Sequence, residues 1–237
     1  MVRVMGLLLV GMVGVACGGT SSAGAPATGP TRIARNPADD LVDRVQDTYR
    51  NTQHFTARFR QTTFNKTFGM PTVNDGMVYL KKPRKMRWDY FSRRDKRTVI
   101  RSQMSNGTII WAVAINGRWY YKQTLTRSTL PVAVIFLAGK DDLAKQFNAR
   151  LLTGSKHGGA GDKVLELTPK KPSAQFKTLV LVVDSSNFRV KKSIVTAATG
   201  DTNEFSFFSP DLARAIADTW FVFNPKTADA KGFREIK

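Results

Sequence analysis

Just after residue 51 the hydrophobic pattern of this chain changes from helical spacing to strict alternation, and short alternating segments make up most of the remaining length. Phe55, Ala57 and Phe59 alternate with Thr56, Arg58 and Arg60, as in a half-buried antiparallel strand. Further strand-like segments come at 76–81, 85–91, 97–103, 108–114, 118–122, 163–168, 177–184, 189–198, 202–208 and 220–224. Asn74-Asp75-Gly76, Asn106-Gly107 and Asn116-Gly117 read as turns between them. So many strands with hairpin connections predict one large antiparallel sheet. Because long flat sheets are rare, that sheet is expected to curl on itself.

Helices frame this pattern. Asn36 is placed to cap a helix that begins at Pro37, with Asp39 and Asp40 in its positive first turn. Leu41, Val42, Val45 and Tyr49 form its apolar stripe, and it ends near Asn51. Residues 130–147 predict two more short helices split at Gly139. The first of these is apolar nearly all round and needs a wide apolar surface to bury it. A curved sheet with helices set against its concave side meets that need, and nothing in the chain predicts a second domain or an internal repeat.

Composition removes several function classes. The 237 residues include 15 Phe, 5 Tyr and 4 Trp with only 23% charged residues, enough apolar material for a core. A single cysteine excludes a disulfide within the chain. His54, His157 and Cys17 have no metal-ligand spacing, so no metal site is expected. Nucleotide loops, a Ser elbow and a zinc-protease helix are all missing. The carboxylate pairs Asp39-Asp40 and Asp141-Asp142 fit helix first turns. The expectation is a protein with no catalytic residues and no cofactor, not an enzyme.

The N-terminus reads as an export signal. Arg3 precedes an apolar run from Val4 to Ala16 that is too short to span a bilayer as a helix. Cys17 comes next, in a junction that resembles a bacterial lipobox although Gly14 stands where that pattern has Leu. Cys17 is therefore the candidate lipidation site, and the uncharged Gly/Ser/Ala/Pro-rich stretch after it reads as a tether. The domain organisation expected is a signal peptide at 1–17, a linker at 18–36, one domain at 37–226 and a tail at 227–237.

Charge points outward. Lys and Arg number 37 against 18 Asp and Glu, concentrated at 81–87 and 93–97. Export argues against nucleic acid as the partner and leaves a membrane surface or an acidic partner. An envelope protein that binds acidic polymers or anionic lipid through this charge is one functional alternative.

The stretch Lys81-Lys82-Pro83-Arg84-Lys85-Met86-Arg87-Trp88-Asp89-Tyr90 resembles the LolA family, the periplasmic carriers of outer-membrane lipoproteins. Gly76, the Lys82-Pro83 turn and the Arg87-Trp88 pair match that family's pattern. So do Phe59-x-Gln61, Asn106-Gly107 with Trp111 after it, Leu167-Thr168-Pro169-Lys170 and Phe221-x-Phe223-x-Pro225. The resemblance implies a mainly β fold with helices: an incomplete antiparallel barrel of about eleven strands, closed by a helical lid around an apolar cavity. It implies a monomeric chaperone that takes acylated lipoproteins from an inner-membrane ABC-type extractor and passes them to an outer-membrane acceptor or membrane surface.

Alternation puts Leu80, Met86, Trp88 and Tyr90 on one face, and that face, with Phe59 and Trp111, is the candidate lining of the acyl-chain cavity that the resemblance implies. Leu41, Val45, Ile135 and Phe136 are the candidates for the implied lid. Lys82 stands where many members have an arginine latch that bonds lid carbonyls, and Met86 stands where Phe is common. Cys17 is a second departure, since the carriers are soluble while related acceptors are anchored through an acylated cysteine. The location implied is the periplasm of a Gram-negative cell, with tethering to the outer membrane through Cys17 if it is acylated. A lipid-anchored acceptor is thus the nearer alternative, and Phe64 to Met70 is its candidate insertion loop.

Overall fold

The computed structural model describes residues 36–125, 143–174, 176–227 and 230–237. The expected export signal, Cys17, and the lid candidates Ile135 and Phe136 lie outside the described residues. Helix α1 (Pro37–Arg50) forms as its sequence dictates: the Asn36 side chain accepts a 3.0 Å bond from the Ala38 amide, and Pro37 opens the first turn. Ala38, Leu41, Val42, Val45 and Tyr49 are its buried stripe.

Twelve strands come after it: β1 (His54–Phe64), β2 (Pro71–Lys81), β3 (Lys85–Phe91), β4 (Val99–Asn106), β5 (Ile109–Ala114), β6 (Trp119–Thr124), β7 (Phe147–Leu151), β8 (Asp162–Pro169), β9 (Thr178–Asp184), β10 (Val190–Thr196), β11 (Thr202–Asp211) and β12 (Arg234–Glu235). They make one sheet in the order β12-β6-β5-β4-β3-β2-β1-β11-β10-β9-β8-β7. Neighbours are antiparallel except β12, which runs parallel to β6. The sheet is open, with β12 and β7 at its edges, and does not close into a barrel. Helix α2 (Leu143–Gln146) leads straight into β7, and Leu143 N donates to Gln46 Oε1 of α1 at 2.6 Å.

One cluster of buried side chains spans the side of the sheet that bears α1. It joins α1 to Phe55, Ala57 and Phe59 of β1, Met86, Trp88 and Tyr90 of β3, Phe205 and Phe207 of β11, and inward residues of β7, β8 and β9. Within it α1 meets Phe55 of β1 and Val190 of β10 through Tyr49, and packs against β7.

Three sequence expectations need correction. Asn74-Asp75-Gly76 is not a turn: it lies inside β2, and the β1–β2 connection is 65–70. Its glycine serves a close approach, because a Cβ on Gly76 would sit 2.6 Å from the Phe59 ring and 2.1 Å from the Asp89 carbonyl oxygen. Residues 220–224 are not a strand; the chain makes a short 3-10 helix at Asp218–Phe221 and then runs extended. The expected tail contributes β12 and Phe233 to the folded domain.

The C-terminal segment is clamped onto the outer face by charge. Asp218 bonds Lys81 at 2.7 Å and Lys85 at 2.6 Å, and those two ammonium groups hold its carboxyl down to about 2 from 3.8. A depressed carboxylate contributes stability above its unfolded pKa and loses it as pH falls through the folded one. Asp218→Asn is therefore expected to lower the unfolding temperature by a constant amount above about pH 4, with the difference vanishing below about pH 2. Parallel melts of the two proteins across that range check it.

Candidate functional site

Alternation places Phe55, Ala57 and Phe59 of β1 on the side of the sheet that bears α1. Register then carries the same face to Leu80 and Val78 on β2 and to Met86, Trp88 and Tyr90 on β3. Across the other edge of β1, Phe59 pairs with Phe207 and Gln61 with Phe205. The result is an aromatic patch centred on Phe59, whose ring lies 5.0 Å from Trp88, 5.2 Å from Tyr90 and 5.9 Å from Phe205, mostly edge to face. Trp88 and Phe205 are themselves 5.0 Å apart.

Of the six residues assigned to an acyl cavity, the structure brings five together. Phe59, Met86, Trp88 and Tyr90 are buried in the main cluster, and Leu80 packs against it half-buried. Trp111 is the exception. Met104 pairs with both Arg87 and Trp111, so Trp111 shares the outward face of Arg87 rather than the inward face of Trp88. There it packs with Met104, Val113 and Tyr120 beneath Phe223 and Phe233 of the C-terminal segment. The inward face here is packed side chain to side chain. A hollow of about 390 Å³ lies elsewhere, at the β7–β8 connection, lined by Arg150, Lys156 and His157 among others. Among the described residues no cluster of His, Cys, Asp and Glu could hold a metal ion.

The face changes character at β4. Arg101 and Gln103 are exposed there, Ala112 and Ala114 of β5 are small, and the Arg101 guanidinium lies 3.9 Å over the Tyr90 ring. The face is thus buried and apolar up to β3 and exposed and polar at β4, with Tyr90 at the boundary.

Polar contacts fasten α1 at its C-terminal end. Lys82 Nζ donates to the carbonyl oxygens of Tyr49 and Arg50, the latter at 2.8 Å. Such bonds satisfy helix carbonyls that have no partner within the helix. Partial burial pulls the Lys82 ammonium below its ordinary pKa. The Tyr49 hydroxyl accepts a 2.9 Å bond from the Val190 amide on β10, and burial pushes its phenol up to about 12. Leu41 and Val45, the described lid candidates, face the sheet. Sequence reasoning missed Tyr49 as a fastening point, since it read only as part of the apolar stripe.

The basic run at 81–87 is mostly consumed inside the fold. Lys81 bonds Asp218 and the Ile216 carbonyl, Lys82 holds α1, Lys85 bonds Asp218, and Arg87 grips Asp89 and the Trp220 carbonyl. Arg87 and Trp88 thus work on opposite faces. A reading based on acidic polymers loses its main patch, leaving the exposed turn with Arg93, Arg94, Lys96 and Arg97.

A family model described as "Outer membrane lipoprotein carrier protein LolA" matches residues 50–224. No curated protein gives a significant match. Among solved structures, an uncharacterized conserved protein from Thermus thermophilus aligns with a TM-score of 0.51 at 10% identity, over 85% of this chain and 99% of that one. A LolA superfamily protein from Nitrosomonas europaea aligns at 0.42 and 14% identity, over 78% and 97%. An outer membrane lipoprotein-sorting protein domain from Vibrio parahaemolyticus aligns at 0.41 and 11% identity, over 77% and 94%.

Proposed function

The chain belongs to the family of the outer membrane lipoprotein carrier protein LolA, and from that premise we propose that it shields the acyl chains of lipoproteins on their way from the inner to the outer membrane. The family is one of carriers and binding proteins rather than enzymes. The observation that supports the reading most directly is the continuous apolar face of the sheet, which bears a helix fastened at its C-terminal end by hydrogen bonds. Exposing an acyl chain to water costs about 0.8 kcal/mol per CH₂, so a carrier must offer apolar surface of comparable extent. The stripe of α1 covers that surface while no cargo is bound, and cargo takes its place.

In this scheme Lys82 is the latch. Lysine keeps the charge of an arginine latch but lacks its planar fork, so one ammonium serves both carbonyls. Lys82→Met is expected to speed amide exchange in the last turn of α1 by about tenfold, with β1 and β9 unchanged. Uniform exchange across the domain would remove the latch role.

The partners proposed are an ABC-type extractor in the inner membrane and an acceptor or membrane surface at the outer membrane. The protein acts as a periplasmic monomer, tethered to the outer membrane when Cys17 is acylated. The test is release of newly made outer-membrane lipoproteins from spheroplasts by the Cys17→Ser protein. Their appearance in the supernatant supports carriage; a folded protein that releases none refutes it.

A second reading, an anchored acceptor that inserts lipoproteins, has one observation in its favour. Phe68 and Met70, at the β1–β2 connection, are 78% and 75% exposed. Phe68→Ser with Met70→Ser is then expected to leave cargo binding intact and to abolish transfer into vesicles. Unimpaired transfer would dismiss this reading.

A further inference from the structure

Among the described residues three buried side-chain polar atoms have no hydrogen-bond partner: His54 Nδ1, Trp88 Nε1 and Ser193 Oγ. Two of the three belong to the apolar face around α1, and both border the same ring. Trp88 lies 5.0 Å from Phe205, and Ser193 on β10 is the register partner of Phe205 on β11. Ser193 also faces Leu181 across the β9–β10 pair and is fully buried. A hydroxyl among Leu181 and Phe205 has no packing advantage over alanine, and an indole N–H has none over a phenyl C–H. An unpaired buried donor destabilises the fold, which makes two beside one ring a feature in need of a partner.

We infer that Trp88 Nε1 and Ser193 Oγ are a polar anchor for the carbonyl oxygens of an acylated ligand, an inference that rests on the acyl-binding reading. The indole is a donor only and the serine hydroxyl has a proton to give, so the complementary atom is an acceptor. A bare hydrocarbon chain has none. Acyl groups joined by ester or amide bonds carry a carbonyl oxygen at the head of each chain. Displacement of the Phe205 ring brings such an oxygen between the two donors while the chain runs along the aromatic patch. The anchor thereby fixes how deep each chain enters, selecting acyl-linked lipids over hydrophobic molecules of similar size.

The experiment compares two probes on the full chain: a cysteinyl peptide bearing two ester-linked palmitoyl chains on glycerol, and the same peptide with ether-linked hexadecyl chains. Binding is measured by calorimetry for the wild type, Trp88→Phe and Ser193→Ala, each with its unfolding temperature. Each substitution is expected to weaken the ester probe by about 5–10-fold, the scale of one hydrogen bond, and to leave the ether probe within about twofold. Ser193→Ala is expected to melt no lower than the wild type. Equal losses for both probes, or no loss for either, overturn the anchor while the acyl-binding reading stands. Failure of the wild type to bind either probe overturns both.

Discussion

Gly76→Ala is expected to cost about 3 kcal/mol or more of stability, at the upper end of overpacking penalties, read as a shift in the denaturant midpoint. The added methyl would lie 2.6 Å from two atoms of the Phe59 ring and 2.1 Å from the Asp89 carbonyl oxygen. The first neighbour is a side chain hemmed in by Trp88, Tyr90 and Phe205, and the second is backbone of the adjacent strand. Neither can retreat cheaply. A double variant tells the two clashes apart: Phe59→Ala removes the ring but leaves the carbonyl, so Gly76→Ala is expected to cost nearly as much in the Phe59→Ala background as in the wild type. Loss of that cost in the Phe59→Ala background would show that the ring alone requires the glycine.

Phe59→Ala by itself is expected to cost about 3–5 kcal/mol, the range for truncating a buried aromatic. Phe59 is 2% exposed and its ring touches Trp88, Tyr90 and Phe205 together. Phe59→Leu, which keeps more of the volume, is expected to lose less than half as much. A cost below about 1 kcal/mol for the alanine variant would mean that the patch repacks freely and is not the centre of the core.

The sequence displays some levels of this fold and conceals others, for identifiable reasons. Helix α1 was legible in full because its cap, its proline and its stripe all agree. Inward and outward positions within a strand were legible as well, and they assembled Met86, Trp88 and Tyr90 correctly. Alternation cannot say which face of one strand continues onto the next, since that depends on the register set by the turn. Trp111 went to the wrong face for this reason, although Trp111, Val113 and Tyr120 are as apolar as the inward set. Asn74-Asp75-Gly76 misled in the opposite way. Its residues have turn chemistry, but Asp75 pairs with Arg60 across β1 at 2.7 Å and Gly76 makes room for a ring, so long-range contacts override the local preference. Ser193 gave no signal, because a serine in a strand becomes conspicuous only when its neighbours across the sheet are known.

The β1–β11 seam has a consequence for how the chain is made. Every other antiparallel pairing joins strands adjacent in the chain, whereas Phe59 meets Phe207 from about 150 residues away, so the seam bears the largest loop-closure cost in the sheet. During N-terminus-first synthesis or translocation, β1 to β6 form a half-sheet with a bare edge at β1 well before β11 emerges. The rings of Phe55 and Phe59 stay uncovered on one flank throughout that interval. Such an edge is a template for pairing with another chain, so the period of greatest aggregation risk ends only when residues 202–211 arrive to close the seam.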